Sequence, residues 1–144
     1  MISEKNIERA KNEIKKTQKP IVVLAQDDKY NRAMLEYGKF QVLLSPEKNT
    51  GKGKLKKQES GLNHVLAKIA AKNGIAIGID VEEISKLPKT EKGERLAKVR
   101  QNIQICRKAK AKIKVFNFTS KQQAFSLMLS LGSTTQQANE AITF

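Results

Sequence analysis

The chain has 144 residues, the length of one domain, and its 28 Lys and Arg against 14 Asp and Glu leave a net charge of +14. Such an excess attracts a polyanion, nucleic acid before a membrane surface, because no stretch sets a Lys/Arg helix face against a Trp/Phe/Leu one. One cysteine and one histidine exclude an internal disulfide and argue against structural zinc, so no metal or cofactor is expected.

Residues 3–17 read as an amphipathic helix, with Ser3 as N-cap and Ile7, Ala10 and Ile14 on one face. This charged opening has no signal-peptide character, and the longest aliphatic run, Ile21–Ala25, is too short to span a bilayer. With the lone cysteine, that predicts a reducing, cytoplasmic setting. Pro20 stops the helix, and PIVVLA (20–25) reads as a buried strand because it is apolar without alternation. Asp27 or Asp28 caps a helix over 29–37 that Gly38 ends, and FQVLLS (40–45) is the second strand. A lysine-rich loop, KNTGKGKLKK (48–57), leads into a helix over 61–73, closed by Gly74, and then the strand IAIGI (75–79). A long helix over 92–110 turns Leu96, Val99, Ile103 and Cys106 to one side. The strand IKVFNF (113–118), a helix from Ser120 to Leu131 closed by Gly132, and a short helix over 134–142 complete the chain. Four buried strands separated by helices predict an α/β fold with a parallel sheet, a single incomplete (β/α)-barrel domain over 1–144.

Candidate chemistry is sparse. His64 falls opposite the wheel face of Leu62, Val65, Leu66 and Ile69, with Lys68 one turn on, and no Ser/Cys–His–Asp set accompanies it. It is expected to face solvent or RNA, and no catalytic residue is predicted. Asp27, Asp28, Glu47 and Asp80 lie just past strand ends, where barrel active sites sit; helix capping is the favoured reading over an acidic Mg²⁺ cup. TGKGK (50–54) fails as a phosphate loop, since Leu55 follows Gly53-Lys54 where Ser or Thr is needed.

The basic residues are clustered. Five lysines fall within 48–57, among them Lys52, Lys54, Lys56 and Lys57, and RKAKAKIK adds Arg107, Lys108, Lys110, Lys112 and Lys114. Arg100 sits two turns before Arg107 on the polar face of the long helix. With no Trp, two Tyr and no RNP1 glycine pattern, recognition through phosphates and shape is expected rather than base stacking.

LLSPE (43–47), GLNHVLAKIAAKNGIAIGID (61–80) and QNIQICRKAKAKIKVFNFTS (101–120) resemble the ribonuclease P protein component 3 family. Asn31-Arg32-Ala33 matches the N-R-A element of that family, and SLMLSLGSTTQQANEAIT (126–143) is similar to its leucine-rich helix, L-G turn and Ala-rich last helix. The resemblance implies a TIM-barrel-like fold and a non-catalytic subunit of the ribonucleoprotein that removes the 5′ leader from precursor tRNA, the RNA being the catalyst. It implies ribonuclease P RNA, precursor tRNA, component 2 and other protein subunits as partners, with His64, Lys68 and the Arg/Lys positions of the long helix (Arg100, Arg107, Lys108) facing RNA. Two departures stand out: the chain reads as starting at a helix midway through the family pattern, and Thr119-Ser120 passes almost directly into helix. An open sheet with strands 20–25 and 113–118 at its edges is therefore expected, its incomplete side against component 2 or a second copy. Two rival readings are a small metal-dependent hydrolase using Asp27, Glu47 and Asp80, and a general RNA- or ribosome-associated protein.

Overall fold

The computed structural model describes residues 1–49 and 60–143. The expected alternation holds, with strands β1 (Val22–Leu24), β2 (Val42–Leu44), β3 (Ala76–Asp80) and β4 (Ile113–Phe116). All three pairings are parallel, in the order β1-β2-β3-β4, which puts the two predicted edge strands at the edges. The helices are α1 (Ile7–Lys16), α2 (Asp28–Tyr37), α3 (His64–Lys72), α4 (Val81–Ser85), α5 (Lys89–Ala109), α6 (Lys121–Ser130) and α7 (Thr135–Ile142). A 3₁₀ turn covers Pro46–Asn49. This turn and α4 were not anticipated, because each is too short to show a helical period.

Several boundaries move for local reasons. Asn6, not Ser3, caps α1: its side chain accepts from Arg9 N, and Ser3 precedes it in the segment where Ile2 bridges Val23 in parallel. The bonds from Ile2 N to Val22 O and from Leu24 N to Ile2 O add a single fifth rung to the β1 edge, so the chain opens on a strand fragment rather than on the helix. Tyr30 donates its hydroxyl to Glu4 O at 2.7 Å and holds that segment in place; burial, then Glu4 and Glu13, push the phenol up to about 12. Asn63 caps α3, and Pro88 lets α5 begin three residues earlier than expected. Asp27 and Gly38 bracket α2 as anticipated, Gly38 taking the left-handed φ of +72° that a helix end favours.

The two sheet faces differ. Val23, Leu43, Ile77, Ile79, Ile113 and Val115 point into one continuous core with the inner faces of α1, α2, α3, α5, α6 and α7. The opposite face carries Val42, Leu44, Ala76 and Gly78, outside that core although buried. Gly78 is required there, since a Cβ would stand 2.9 Å from both Leu44 Cδ1 and Val42 Cγ1. Among the described residues no strand pairs with the free side of β4; α7 packs against β4 instead. Lys114 donates to the carbonyls of Glu140 and Thr143 at 2.7 and 2.6 Å, binding the end of α7 to the strand.

Candidate nucleic-acid interface

Because all four strands run the same way, every β-to-α connection lies at one end of the sheet and every α-to-β connection at the other. The first is the carboxyl end, where a barrel keeps its active site. Asp27 accepts from Tyr30 N at 2.8 Å and Asp80 from Glu83 N at 3.2 Å, so both cap helices; Asp28 lies in the first turn of α2. Asp80 also accepts from Asn117 Nδ2 at 3.1 Å. Asn31 is wholly buried and pairs twice with the backbone of Gln26, which fixes the connection out of β1.

Glu47 does not cap. It is 1% exposed and receives Arg95 Nη2 at 2.9 Å, while Nη1 and Nη2 of the same guanidinium hold Glu83 at 2.8 and 2.6 Å. Burial outweighs the attraction of one arginine shared by two glutamates, so the Glu47 carboxyl titrates above its ordinary range. Seven residues along α5, Asn102 donates to Ser60 O at 3.1 Å. Gly61, at φ +77°, lies so close to Pro46 that a Cβ would stand 1.8 Å from the proline carbonyl oxygen. Residues 46–47 and 60–61 are therefore held together and fastened to one flank of α5. Arg95 carries a readable signal in the sequence, since its place one turn before Val99, Ile103 and Cys106 puts it on the inner face of α5.

No group of three or more His, Cys, Asp or Glu side chains that could hold a metal ion occurs among the described residues. Cys106 is buried, and burial pushes its thiol up to about 12, which makes it an inert packing group. No helix among the described residues is long and apolar enough to cross a membrane.

The basic residues singled out from the sequence are not brought into one cluster. His64 and Lys68 are exposed one turn apart at the start of α3, as expected, but Val65, placed on the inner face by the helical wheel, is 54% exposed. The helix turns Leu66, Ala67 and Ala70 inward instead. Arg100, Arg107 and Lys108 are exposed on α5. Arg107 Nη1 donates to Gly132 O at 3.0 Å, and Arg100 Nε lies 3.9 Å from where a Cβ on Gly132 would stand. Both arginines thus lean over the turn between α6 and α7. Asn102, which meets Ser60 just before α3, sits about 200° around the helix from Arg100. The α3 and α5 groups therefore occupy opposite flanks of α5. Lys52, Lys54, Lys56 and Lys57 lie outside the described residues.

No protein-family model matches the chain. It is 32% identical to Ribonuclease P protein component 3 of Methanosarcina mazei over 88 residues, which cover 61% of this chain and 34% of that protein. Component 3 of Methanosarcina acetivorans is 28% identical over 130 residues, covering 85% of this chain and 51% of the relative. That of Methanococcus maripaludis is 27% identical over 110 residues, covering 74% and 44%. The chain thus spans between a third and a half of these relatives. In fold it is similar to a chain of archaeal ribonuclease P solved by cryo-EM with mature tRNA, with a TM-score of 0.75 at 19% identity over 97% of this chain and 62% of that one. A prolidase crystallised with N-methylphosphonate-L-proline follows at TM-score 0.59 and 11% identity, over 95% of this chain and 34% of the prolidase. These likenesses agree with an incomplete TIM-barrel-like sheet, and in sequence the chain is similar to Ribonuclease P protein component 3.

Proposed function

We propose that this chain is a non-catalytic, RNA-binding part of ribonuclease P, supporting removal of the 5′ leader from precursor tRNA by the catalytic RNA. The observation that carries the reading is the sequence likeness to component 3 in three organisms. The use of the carboxyl-end acids within the chain supports it: Asp27 and Asp80 cap helices and Glu47 answers Arg95, so the hydrolase reading loses the three groups it needs. The fold likeness to archaeal ribonuclease P points the same way.

In this reading lysines and arginines neutralise phosphates and hold the RNA in its active shape. His64, Lys68, Arg100, Arg107 and Lys108 are exposed and suited to that role, with Lys52, Lys54, Lys56 and Lys57 added on sequence grounds. The partners are ribonuclease P RNA, precursor tRNA, component 2 and other ribonuclease P proteins in the cytoplasm, with component 2 or a second copy against the incomplete side of the sheet.

The test is affinity purification of the tagged chain, followed by sequencing of the bound RNA. Ribonuclease P RNA is expected; ribosomal RNA alone would favour the general RNA-binding reading. Purified chain without RNA should leave precursor tRNA uncut, and His64→Ala should keep the cleavage rate of the reconstituted particle within about tenfold, about 1.4 kcal/mol. Metal-dependent hydrolysis by the chain alone, lost in Asp80→Ala, would sink the proposal in favour of the enzyme.

A further inference from the structure

We infer that the amino end of the sheet, formed by the α-to-β connections and the helix ends that lead into them, is a surface for the RNA backbone, continuous with Lys68 on α3 and with Arg107 and Lys108 at the end of α5. The inference rests on the RNA-binding reading above and adds to it a place on the molecule.

Three of the four connections carry an exposed lysine, and the fourth directly follows one at the end of α3. Lys19 precedes β1, Lys39 precedes β2, Lys72 ends α3 before β3, and Lys110 and Lys112 precede β4. The connections themselves, residues 17–21, 38–41, 73–75 and 110–112, contain no Asp or Glu. Parallel pairing turns this sequence pattern into a geometric one. The four connections stand side by side at strand spacing, about 4.8 Å apart, so the row spans about 15 Å. Taking the B-form rise of about 3.4 Å per phosphate as an approximation for RNA, that length spans about four phosphates along one strand.

Complementing the helix dipole is the ordinary use of such lysines, and Lys72 serves it at the end of α3. It does not account for the row. Lys19 lies two residues beyond the α1 C-cap, Lys39 one beyond Gly38, and Lys112 two beyond the α5 C-cap, where the dipole's effect has fallen off. None of the five makes an ion pair among the described residues. The acids in the helix turns that lead into the connections are Glu13 and Glu36, and Glu36 is paired with Arg32 within α2, so the row stays predominantly basic. A line of predominantly like charge costs self-repulsion that a polyanion relieves. RNA is favoured over an acidic protein because the lysines act as compact point charges and no exposed aromatic side chain lies in the connections.

The experiment measures the affinity of the full chain for a precursor tRNA transcript across a range of salt. Replacing Lys19, Lys39, Lys72, Lys110 and Lys112 by Gln should lower the slope of log affinity against log salt by about 3 to 4 units. The same five positions as Arg should keep it. A control carries the same charge loss at the carboxyl end, through Gln at Lys5, Lys29, Lys86, Lys89 and Lys121, all exposed there. The control should change the slope by less than half as much. Thermal melting of each variant verifies that it folds, and should the fivefold variant melt early, Lys39→Gln with Lys112→Gln replaces it, with a slope loss of about 2. Equal loss in the control would overturn the inference in favour of net charge alone. An unchanged slope in a folded variant whose wild type binds would overturn it while leaving the RNA-binding reading intact. A wild type that ignores the transcript but captures a polyglutamate probe would sink both and leave an acidic protein as the partner.

Discussion

At the carboxyl ends of the strands, the critical charges are answered inside the chain. Asp27 and Asp80 accept from the first turns of α2 and α4, and Arg95 holds Glu47 and Glu83 together beneath α5. At the amino ends, Lys19, Lys39, Lys72, Lys110 and Lys112 are exposed with no acid beside them in the connections. The first end is built as structure, so changes there should register as stability. The second contributes little to stability, so changes there should register in binding. This reverses the barrel-enzyme pattern, in which the carboxyl end is reserved for chemistry.

The hardest break falls on Arg95. Arg95→Met should cost about 3–5 kcal/mol in urea unfolding, because it leaves the buried Glu47 with no cation and strips Glu83 of the same partner. Glu47→Gln should behave differently with pH. The folded-state pKa of Glu47 is raised, by burial first, so its contribution to stability is fullest below the ordinary glutamate range and is lost as pH rises through the folded value. The Gln variant should therefore gain stability relative to wild type on going from about pH 4 to about pH 7. A difference between the two proteins that ignores pH would show that Arg95 compensates the charge in full.

Two glycines compare the ends directly. Gly61, at the carboxyl end, and Gly74, in the α3–β3 connection, have φ of +77° and +68°. A Cβ on Gly74 would meet nothing within 4 Å, whereas one on Gly61 would overlap the Pro46 carbonyl. Gly74→Ala should cost about 1–2 kcal/mol, the left-handed penalty alone. Gly61→Ala should cost about 1–3 kcal/mol more, from overpacking where two segments are fastened to α5. Equal melting points for the two variants would mean that the join at Pro46 and Gly61 opens freely.

Legibility from sequence follows the same division. Four apolar runs bounded by Pro, Gly and capping side chains were enough to place every strand and its parallel partners, because hydrophobic runs and turn chemistry are local signals. Asp27 was readable as a cap for that reason. The role of Glu47 was not, because its partner Arg95 lies 48 residues away and joins it only after the strands assemble. Val65 was misplaced because a wheel drawn from Leu62 assumed helix where the chain is still entering from the Asn63 cap. The lysine row was only partly visible: Lys110 and Lys112 stand in the dense run 107–114, but Lys19, Lys39 and Lys72 are scattered singly, and only the parallel topology places them beside it.

The smallest expected effect bears most directly on the amino end. Lys72 closes α3, where a cation complements the exposed carbonyls of the last turn. Lys39 lies beyond the αL cap of α2 and has no such role. Lys72→Gln should therefore lower stability by about 0.3–1 kcal/mol at low salt, and the loss should fade near 1 M salt, where the Debye length falls to about 3 Å. Lys39→Gln should leave stability unchanged or raise it slightly, since removing one charge from an excess of +14 relieves repulsion. Paired melts of the two variants at low and high salt read this difference. Equal destabilisation by both would mean that the connections depend on their lysines for folding, and the contrast between the two ends of the sheet would fail.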